Sequence, residues 1–194
     1  LDAALGGALA THVGIVQFRG RTDQVLDIPT LGRLGAARIV LVGVGPKRGF
    51  AGARLRQAVA VATRAAGGAS SLALVLGEHA EGAAAVRSVG EGVGLGAYTF
   101  SRYFTGERAP KRTLGSVTLH RAHGRVGATE RRALELGLAV AAGVNLARDA
   151  VNEPPNVLTP EALAEAARRV AKDGHLKITV LDEKGIEKAG MKLL

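Results

Sequence analysis

Residues 37–44 read ARIVLVGV, a short run rich in β-branched side chains that ends among glycines. This pattern is typical of a β-strand that is buried on both faces. Residues 51–66 follow, with apolar side chains on one side of a helix and arginines interspersed. That spacing predicts an amphipathic helix. A strand followed directly by a helix begins a βαβ unit, and it indicates an α/β fold.

The same alternation continues on both sides of this unit. Residues 71–76 (SLALVL) predict a second buried strand, residues 81–93 a glycine-weakened helix, and residues 115–120 (GSVTLH) another strand. Leucines at every fourth position predict a short helix within the first dozen residues. Strands that alternate with helices favour a mostly parallel sheet, which we expect to form a domain over residues 1–128.

A long helix is predicted over residues 129–151, with Thr129 as its N-cap. The sequence NEPPN at 152–156 must leave helical geometry, because proline lacks an N–H and restricts the residue before it. Steps of three or four residues place an apolar stripe along one side of the long helix, formed by Leu136, Val140, Val144, Ala147 and Val151.

A further helix is predicted to begin at Thr159-Pro160, with threonine as N-cap and proline at the first helical position, and to end at Gly174. Residues 176–181 predict a strand, residues 182–189 a short helix capped by Asp182, and residues from 191 onward another strand. These few elements cannot make a sheet that is covered on both faces. We therefore expect residues 152–194 to be the incomplete start of a second domain in a longer chain, which the missing initiator methionine also suggests.

The composition excludes several classes of protein. Hydrophobic residues make up 47% of the 194 residues, which is enough for a core and argues against wholesale disorder. With no cysteine, a disulfide framework, a thiolate metal site and a cysteine nucleophile are all excluded. No run of roughly 18 apolar residues could span a membrane, and the start lacks the basic region of a secretion signal. A cytoplasmic location fits this pattern. Lys and Arg number 26 against 17 Asp and Glu, a net charge of +9.

A glycine-rich turn, GVGPKRG at 43–49, lies between the first predicted strand and its helix. Glycines at such a position can bring backbone N–H groups against a phosphate. The spacing is one residue longer than the dinucleotide-binding motif, however, and no acidic residue follows about 20 positions later. A tight turn is the favoured interpretation, and nucleotide or ADP-ribose binding is the alternative.

Other candidate catalytic groups are sparse. His120 and His123 are spaced like metal ligands, but no Cys, Asp or Glu nearby completes a set, so we expect solvated histidines. Glu78 and Glu81 flank His79 in what is most simply a charged turn. The zinc-binding motif HExxH does not occur in the sequence. The motif GxSxG is also absent, so serine catalysis has no support.

A cluster of aromatic and basic residues allows two interpretations. Stacking rings beside cations are typical of nucleic-acid binding. Packing of scarce aromatics at the edge of a core of small side chains is favoured instead, because no basic run exceeds two residues. The cluster comprises Tyr98, Phe100, Tyr103 and Phe104, with Arg102, Arg108, Lys111 and Arg112 close by.

The most specific stretch is NLARDAVNEPPNVLTP at 145–160. Its pattern NxxRDxxNxPxNxxTP resembles the entry to the catalytic domain of the leucyl (cytosol) aminopeptidase family, the M17 metallopeptidases. The resemblance continues to residue 191 and extends, less specifically, to residues 1–7, 38–45 and 96–103, so it covers essentially the whole chain. The signature positions are Asn145, Arg148, Asp149, Asn152, Pro154, Asn156, Thr159 and Pro160.

The resemblance implies a macro-domain-like N-terminal domain over 1–128, a connecting helix over 129–151 and the start of an α/β catalytic domain over 152–194. It also implies that the parent enzyme releases N-terminal amino acids, leucine preferentially, from peptide substrates. Two divalent metal ions (zinc, manganese or magnesium), held by Asp, Glu and Lys side chains, would activate the attacking water. The family's usual assembly is a homo-hexamer, and no membrane association is implied.

The family's catalytic and metal-binding residues follow the point where this chain stops, so we assign no catalytic, cofactor-binding or metal-binding residue here. We expect the 194-residue chain to bind no metal and to be inactive by itself. The 145–160 stretch receives a structural role, in which Asn152 and Asn156 hydrogen-bond freed backbone groups. An alternative function is a basic N-terminal domain that binds DNA or a nucleotide. The acidic residues after Pro160, none in a family ligand motif, are Glu161, Glu165, Asp173, Asp182, Glu183 and Glu187.

Overall fold

Helices and strands alternate along the chain, which divides into two compact units, Leu1–Leu146 and Ala147–Leu194. The computed structural model describes residues 1–48, 50–77, 81–109, 113–121 and 126–191. Its elements in order are α1 (Ala8–Ile15), β1 (Val25–Pro29), β2 (Arg38–Val42), α2 (Ala53–Ala65), β3 (Ser71–Gly77), α3 (Gly82–Gly96), β4 (Ser116–Arg121), α4 (Ala128–Asn152), α5 (Pro160–Asp173) and α6 (Glu183–Lys188), with short 3-10 helices at Ala3–Leu5 and Gly106–Arg108.

The α/β class is confirmed, and the described strands form two pairs. β3 and β4 run parallel, as predicted, with Leu74 opposite Leu119. β1, which the sequence did not predict, runs antiparallel to β2, with Val25 opposite Val42. The described strands therefore comprise one antiparallel pair and one parallel pair.

β3 is buried on one face only, which corrects the predicted burial on both. Leu74 lies in the core together with Leu55 and Val59 of α2 and Val89 of α3. The alternate residues Ser71, Ala73 and Val75 are exposed. Successive side chains of a strand point to opposite faces, so every second side chain lies on the same face. In SLALVL the leucines therefore lie on the packed face, and the alanine and the valine lie on the exposed face.

Glycines bring α3 unusually close to its neighbouring helices. A Cβ at Gly92 would lie 2.7 Å from Cβ of Val59 in α2, and a Cβ at Gly90 would lie 2.7 Å from the backbone oxygen of Leu134 in α4. Real Cβ atoms do not approach so closely, so glycine is required at both positions. These glycines, which were predicted to weaken the helix, allow it to pack between α2 and α4.

The packed side of α4 differs from the predicted one. Gly137 and Ala141 are buried, and Ala141 is only 1% exposed. The predicted stripe from Leu136 to Val151 is exposed, with Leu136 49% accessible. Small residues form the interface with α3, because only small side chains allow the two helices to approach so closely. The predicted N-cap, Thr129, lies inside the helix, and Glu130 Oε2 instead accepts from the Gly127 N–H at 3.1 Å.

In the second unit the helices are confirmed and the strand is not. Thr159 caps α5, Gly174 ends it, and Asp182 caps α6 through the Gly185 N–H at 2.8 Å. Residues 176–181 form no strand, because no described strand is hydrogen-bonded to them. The strand predicted from residue 191 falls mostly on residues 192–194, outside the described part of the chain.

Candidate functional site

The segment 145–160 begins inside α4, where Asn145 joins two helices of the first unit. Its Nδ2 donates to the Gly94 carbonyl of α3 at 3.0 Å. Gly94 also faces Ala141, one turn before Asn145, at a distance that leaves no room for a Cβ. This amide therefore satisfies a backbone carbonyl at a tightly packed crossing, where an unpaired polar group would cost stability.

The rest of the segment ends α4 and starts α5 within the second unit. Arg148 and Asp149 are half-buried on the last turns of α4, and Asn152 is its final residue. The Pro154 carbonyl accepts from the N–H groups of Val157 and Leu158, at 2.9 and 3.0 Å, and this builds the turn that contains Asn156.

Thr159 and Pro160 open α5 as the sequence predicts. The Thr159 hydroxyl oxygen accepts from the Ala162 N–H at 3.3 Å, and Pro160 takes the first turn. The Thr159 side chain also hydrogen-bonds the Glu161 carboxylate, and this bond, with the Glu161 backbone N–H, lowers the pKa of Glu161 from its usual value. The exposed carboxylate therefore belongs to a helix N-terminus, where negative charge is favoured.

The acidic residues after Pro160 do not form a metal site among the described residues. Asp182 caps α6, and Glu165 pairs with Arg168 at 3.3 Å on the surface of α5. No group of three His, Asp or Glu side chains lies close enough to hold an ion in the described ranges. The donors among the described residues therefore do not fit a two-metal centre.

The glycine-rich turn closes around a guanidinium group rather than presenting an open cradle. Arg54 Nη2 donates to the carbonyls of Val44 and Pro46, at 2.6 and 3.0 Å, and Nη1 donates to that of Arg48 at 2.9 Å. Gly45 has a φ of +69°, which glycine adopts without strain. The tight-turn interpretation describes these contacts well.

Two backbone N–H groups of this turn already have partners. The Gly43 N–H donates to the Gln24 carbonyl at 2.7 Å, and the Gly45 N–H donates to the Gly20 carbonyl at 2.9 Å. They are therefore not presented to a phosphate as a dinucleotide-binding loop would require. Gly49 lies outside the described residues.

The remaining sequence candidates are not brought together into one site. Phe100 and Tyr103 contact each other with ring centroids 5.9 Å apart, and Phe104 is exposed. His120 is an exposed residue of β4, opposite Val75. Glu78, His79, Lys111, Arg112 and His123 lie outside the described residues.

A buried carboxylate, Glu91, was missed by the sequence analysis. Its side chain is 9% exposed, and it pairs with Arg56 of α2 at 2.8 Å and with Arg87 of α3 at 2.9 Å. The hydrogen bond from Arg56 is the main reason that the pKa of Glu91 is lowered, against the opposing effect of burial. The i,i+4 spacing of Arg87 and Glu91 was visible in the sequence, but the contact with Arg56 was not.

Comparison with protein families matches both parts of the chain. The model of the N-terminal domain of the cytosol aminopeptidase family matches residues 1–106, and the model of its catalytic domain matches residues 145–194. The "probable cytosol aminopeptidase" of Streptomyces coelicolor is 34% identical over 98% of this chain, and that of a Geobacter species is 36% identical over 100% of it. The chain spans about two fifths of the length of each of these relatives.

Solved structures give the same picture. The bottromycin maturation enzyme BotP, in complex with Mn, is 32% identical with a TM-score of 0.66, covering 91% of this chain and 36% of its own. A mutant of tomato leucine aminopeptidase is 25% identical with a TM-score of 0.80, covering 96% of this chain and 37% of its own. No described helix is long and apolar enough to cross a membrane. The chain belongs to the cytosol aminopeptidase family.

Proposed function

We propose that this chain supplies the N-terminal domain, the connecting helix and the first catalytic-domain elements of an aminopeptidase that releases N-terminal amino acids from peptides. The observation that carries the proposal is the ordered match of both family domains, the first over residues 1–106 and the second over residues 145–194. The proposed division is a macro-like domain over 1–128, a connecting helix over 129–151 and catalytic-domain residues over 152–194.

Two divalent metal ions, manganese or zinc, are proposed for the complete enzyme. The Mn complex of BotP and the family membership support this part of the proposal. The eight signature positions of 145–160 are proposed to end the connecting helix, make the turn and restart the chain at α5, rather than to bind metal. The contacts of Asn145, Pro154 and Thr159 support that role. Self-association and a cytosolic location, the latter from the relatives' name, belong to the same proposal.

We also propose that the 194-residue chain has no peptidase activity by itself. The described carboxylates after Pro160 occupy helix caps and exposed helix surfaces. The DNA-binding and nucleotide-binding alternatives gain no support from the comparisons, which name peptidases.

A hydrolysis assay tests both parts of the proposal. Purified chain of verified mass is incubated with leucine p-nitroanilide and Mn²⁺, with tomato leucine aminopeptidase as the positive control, and no release of nitroaniline is expected. A chimera then joins residues 1–194 to the remaining sequence of the Geobacter relative, and this chimera is expected to hydrolyse the substrate. Turnover by the 194-residue chain would contradict the predicted inactivity, and a folded but inactive chimera would contradict the assigned role.

A further inference from the structure

The net positive charge of the chain comes entirely from its first unit. Residues 1–146 hold 18 Lys and Arg against 9 Asp and Glu, whereas residues 147–194 hold 8 of each. An excess charge on one unit attracts partners of opposite charge, provided that the cations are accessible. A binding surface for such a partner therefore requires accessible cations that lie together within residues 1–146.

One edge of the first unit collects four accessible cations. The loop that contains Arg19 and Arg21 lies beside the turn that contains Lys47 and Arg48, because the Gly45 N–H donates to the Gly20 carbonyl at 2.9 Å. All four side chains are exposed. None of their charged groups forms a hydrogen bond or an ion pair with another described residue. We call these four residues the basic edge.

A largely apolar cleft of about 210 Å³ lies between these two loops and the first half of α2. A cavity of about 150 Å³ is large enough for a benzene molecule, so the cleft has room for one aliphatic side chain. Asp23 is the one carboxylate among the described residues of its lining, and its Oδ2 already accepts from Gln57 Nε2 at 2.8 Å. The other residues that line the cleft are Thr22, Gly43, Val44, Ala53, Arg54, Gln57 and Ala58.

We propose that the basic edge and the cleft together bind an acidic peptide segment of a partner protein. One aliphatic side chain of the segment occupies the cleft, and its flanking carboxylates pair with Arg21, Lys47 and Arg48. A peptide suits this site better than a nucleic acid, because none of the described residues that line the cleft has an aromatic side chain to stack on a base. The binding proposed for this surface does not depend on the proposed peptidase activity.

The test measures fluorescence anisotropy of a labelled acidic peptide with a central leucine, at low ionic strength. We expect this peptide to bind about tenfold tighter than the same peptide with glycine in place of leucine, since burial of one leucine is worth roughly 1.4 kcal/mol or more. A single-stranded DNA of equal charge is the competing ligand, and it is expected to bind more weakly than the leucine peptide.

Matched variants separate the site from general charge. A triple variant is expected to weaken peptide binding at least about tenfold, and it combines Arg21→Ala, Lys47→Ala and Arg48→Ala. The control combines Arg64→Ala, Arg131→Ala and Arg132→Ala, which remove the same charge at exposed positions elsewhere and should change binding much less. Ala53→Phe fills the cleft from an exposed position and should abolish the preference for leucine over glycine.

Circular dichroism establishes that each variant is folded before its binding is compared. Equal binding of the leucine and glycine peptides, or an equal effect of the two triple variants, would overturn the proposal. Undetectable peptide binding by the unaltered chain, or tighter binding of the DNA, would do the same.

Discussion

At the scale of single residues, the Glu91 carboxylate joins α2 to α3 through Arg56 and Arg87. Replacement by glutamine keeps the shape but removes the charge that both guanidinium groups face. We expect Glu91→Gln to lower the free energy of unfolding by about 1–2 kcal/mol at pH 7. Urea denaturation followed by circular dichroism measures this change.

The effect of Glu91→Gln depends on pH in a definite direction. Pairing lowers the pKa of Glu91 from the ordinary 4.5, so the carboxylate contributes its full stability above that value. The contribution is lost as the pH falls through the lower pKa of the folded chain, and variant and parent should then converge. Glu135→Gln, at an exposed position of α4, is the control and should have little effect. A difference that stays constant between pH 7 and the acid range would contradict the ion-pair explanation.

Local and non-local roles of single residues differ in how far the sequence could predict them. Thr159 and Asp182 were predicted as N-caps, because a cap needs only the next three residues of the chain. Arg54 was only one of the arginines interspersed in the predicted helix, yet its guanidinium group donates to three carbonyls of the preceding turn. Its role could not be predicted, since it depends on where the turn places those carbonyls.

At the scale of elements, the packing of α3 against α2 depends on glycine. A Cβ at Gly92 would lie 2.6 Å from the Arg56 carbonyl oxygen and 2.7 Å from Cβ of Val59, so the helices must separate. We expect Gly92→Ala to destabilise the chain by about 1–3 kcal/mol through overpacking. Thermal unfolding measures the change.

The matched control is Gly143→Ala in α4, where nothing lies within 4 Å of the added Cβ. Alanine is favoured over glycine inside a helix by roughly 0.5–1 kcal/mol, so this variant should be slightly more stable. The same sign for both substitutions would show that close packing does not decide the stability of α3.

Elements were predicted well where their own periodicity decides them and poorly where a partner does. α2 follows from helical spacing alone, and α5 follows from helical spacing together with its capping residue. β1 was missed because its sequence, VLDIP at Val25–Pro29, contains an aspartate and a proline. It forms a strand by pairing with β2. Across this pair, Arg38 Nη1 donates to Asp27 Oδ2 at 2.6 Å. Residues 176–181 show the opposite case. Their apolar pattern predicted a strand, but none forms, because no described strand pairs with them.

At the scale of the whole chain, the two units differ in how much they bury. In the first unit, α2, α3 and β3 enclose a core of Leu55, Val59, Leu74 and Val89. In the second unit, Ala171 is the one buried residue among those that the structure describes. The described residues 147–191 therefore remove too little apolar surface from water to offset the conformational entropy that is lost when they are ordered.

Hydrogen exchange should therefore separate the two units. We expect backbone amides of α2 and β3 to exchange only through global unfolding, and those of α5 and α6 to exchange at least about tenfold faster through local opening. Mass spectrometry of peptides from the exchanged chain measures both sets in one sample, and a dilution series controls for protection by self-association. Equal protection of α5 and α2 at every concentration would mean that the second unit is as stable as the first, although its described residues bury almost no apolar side chains.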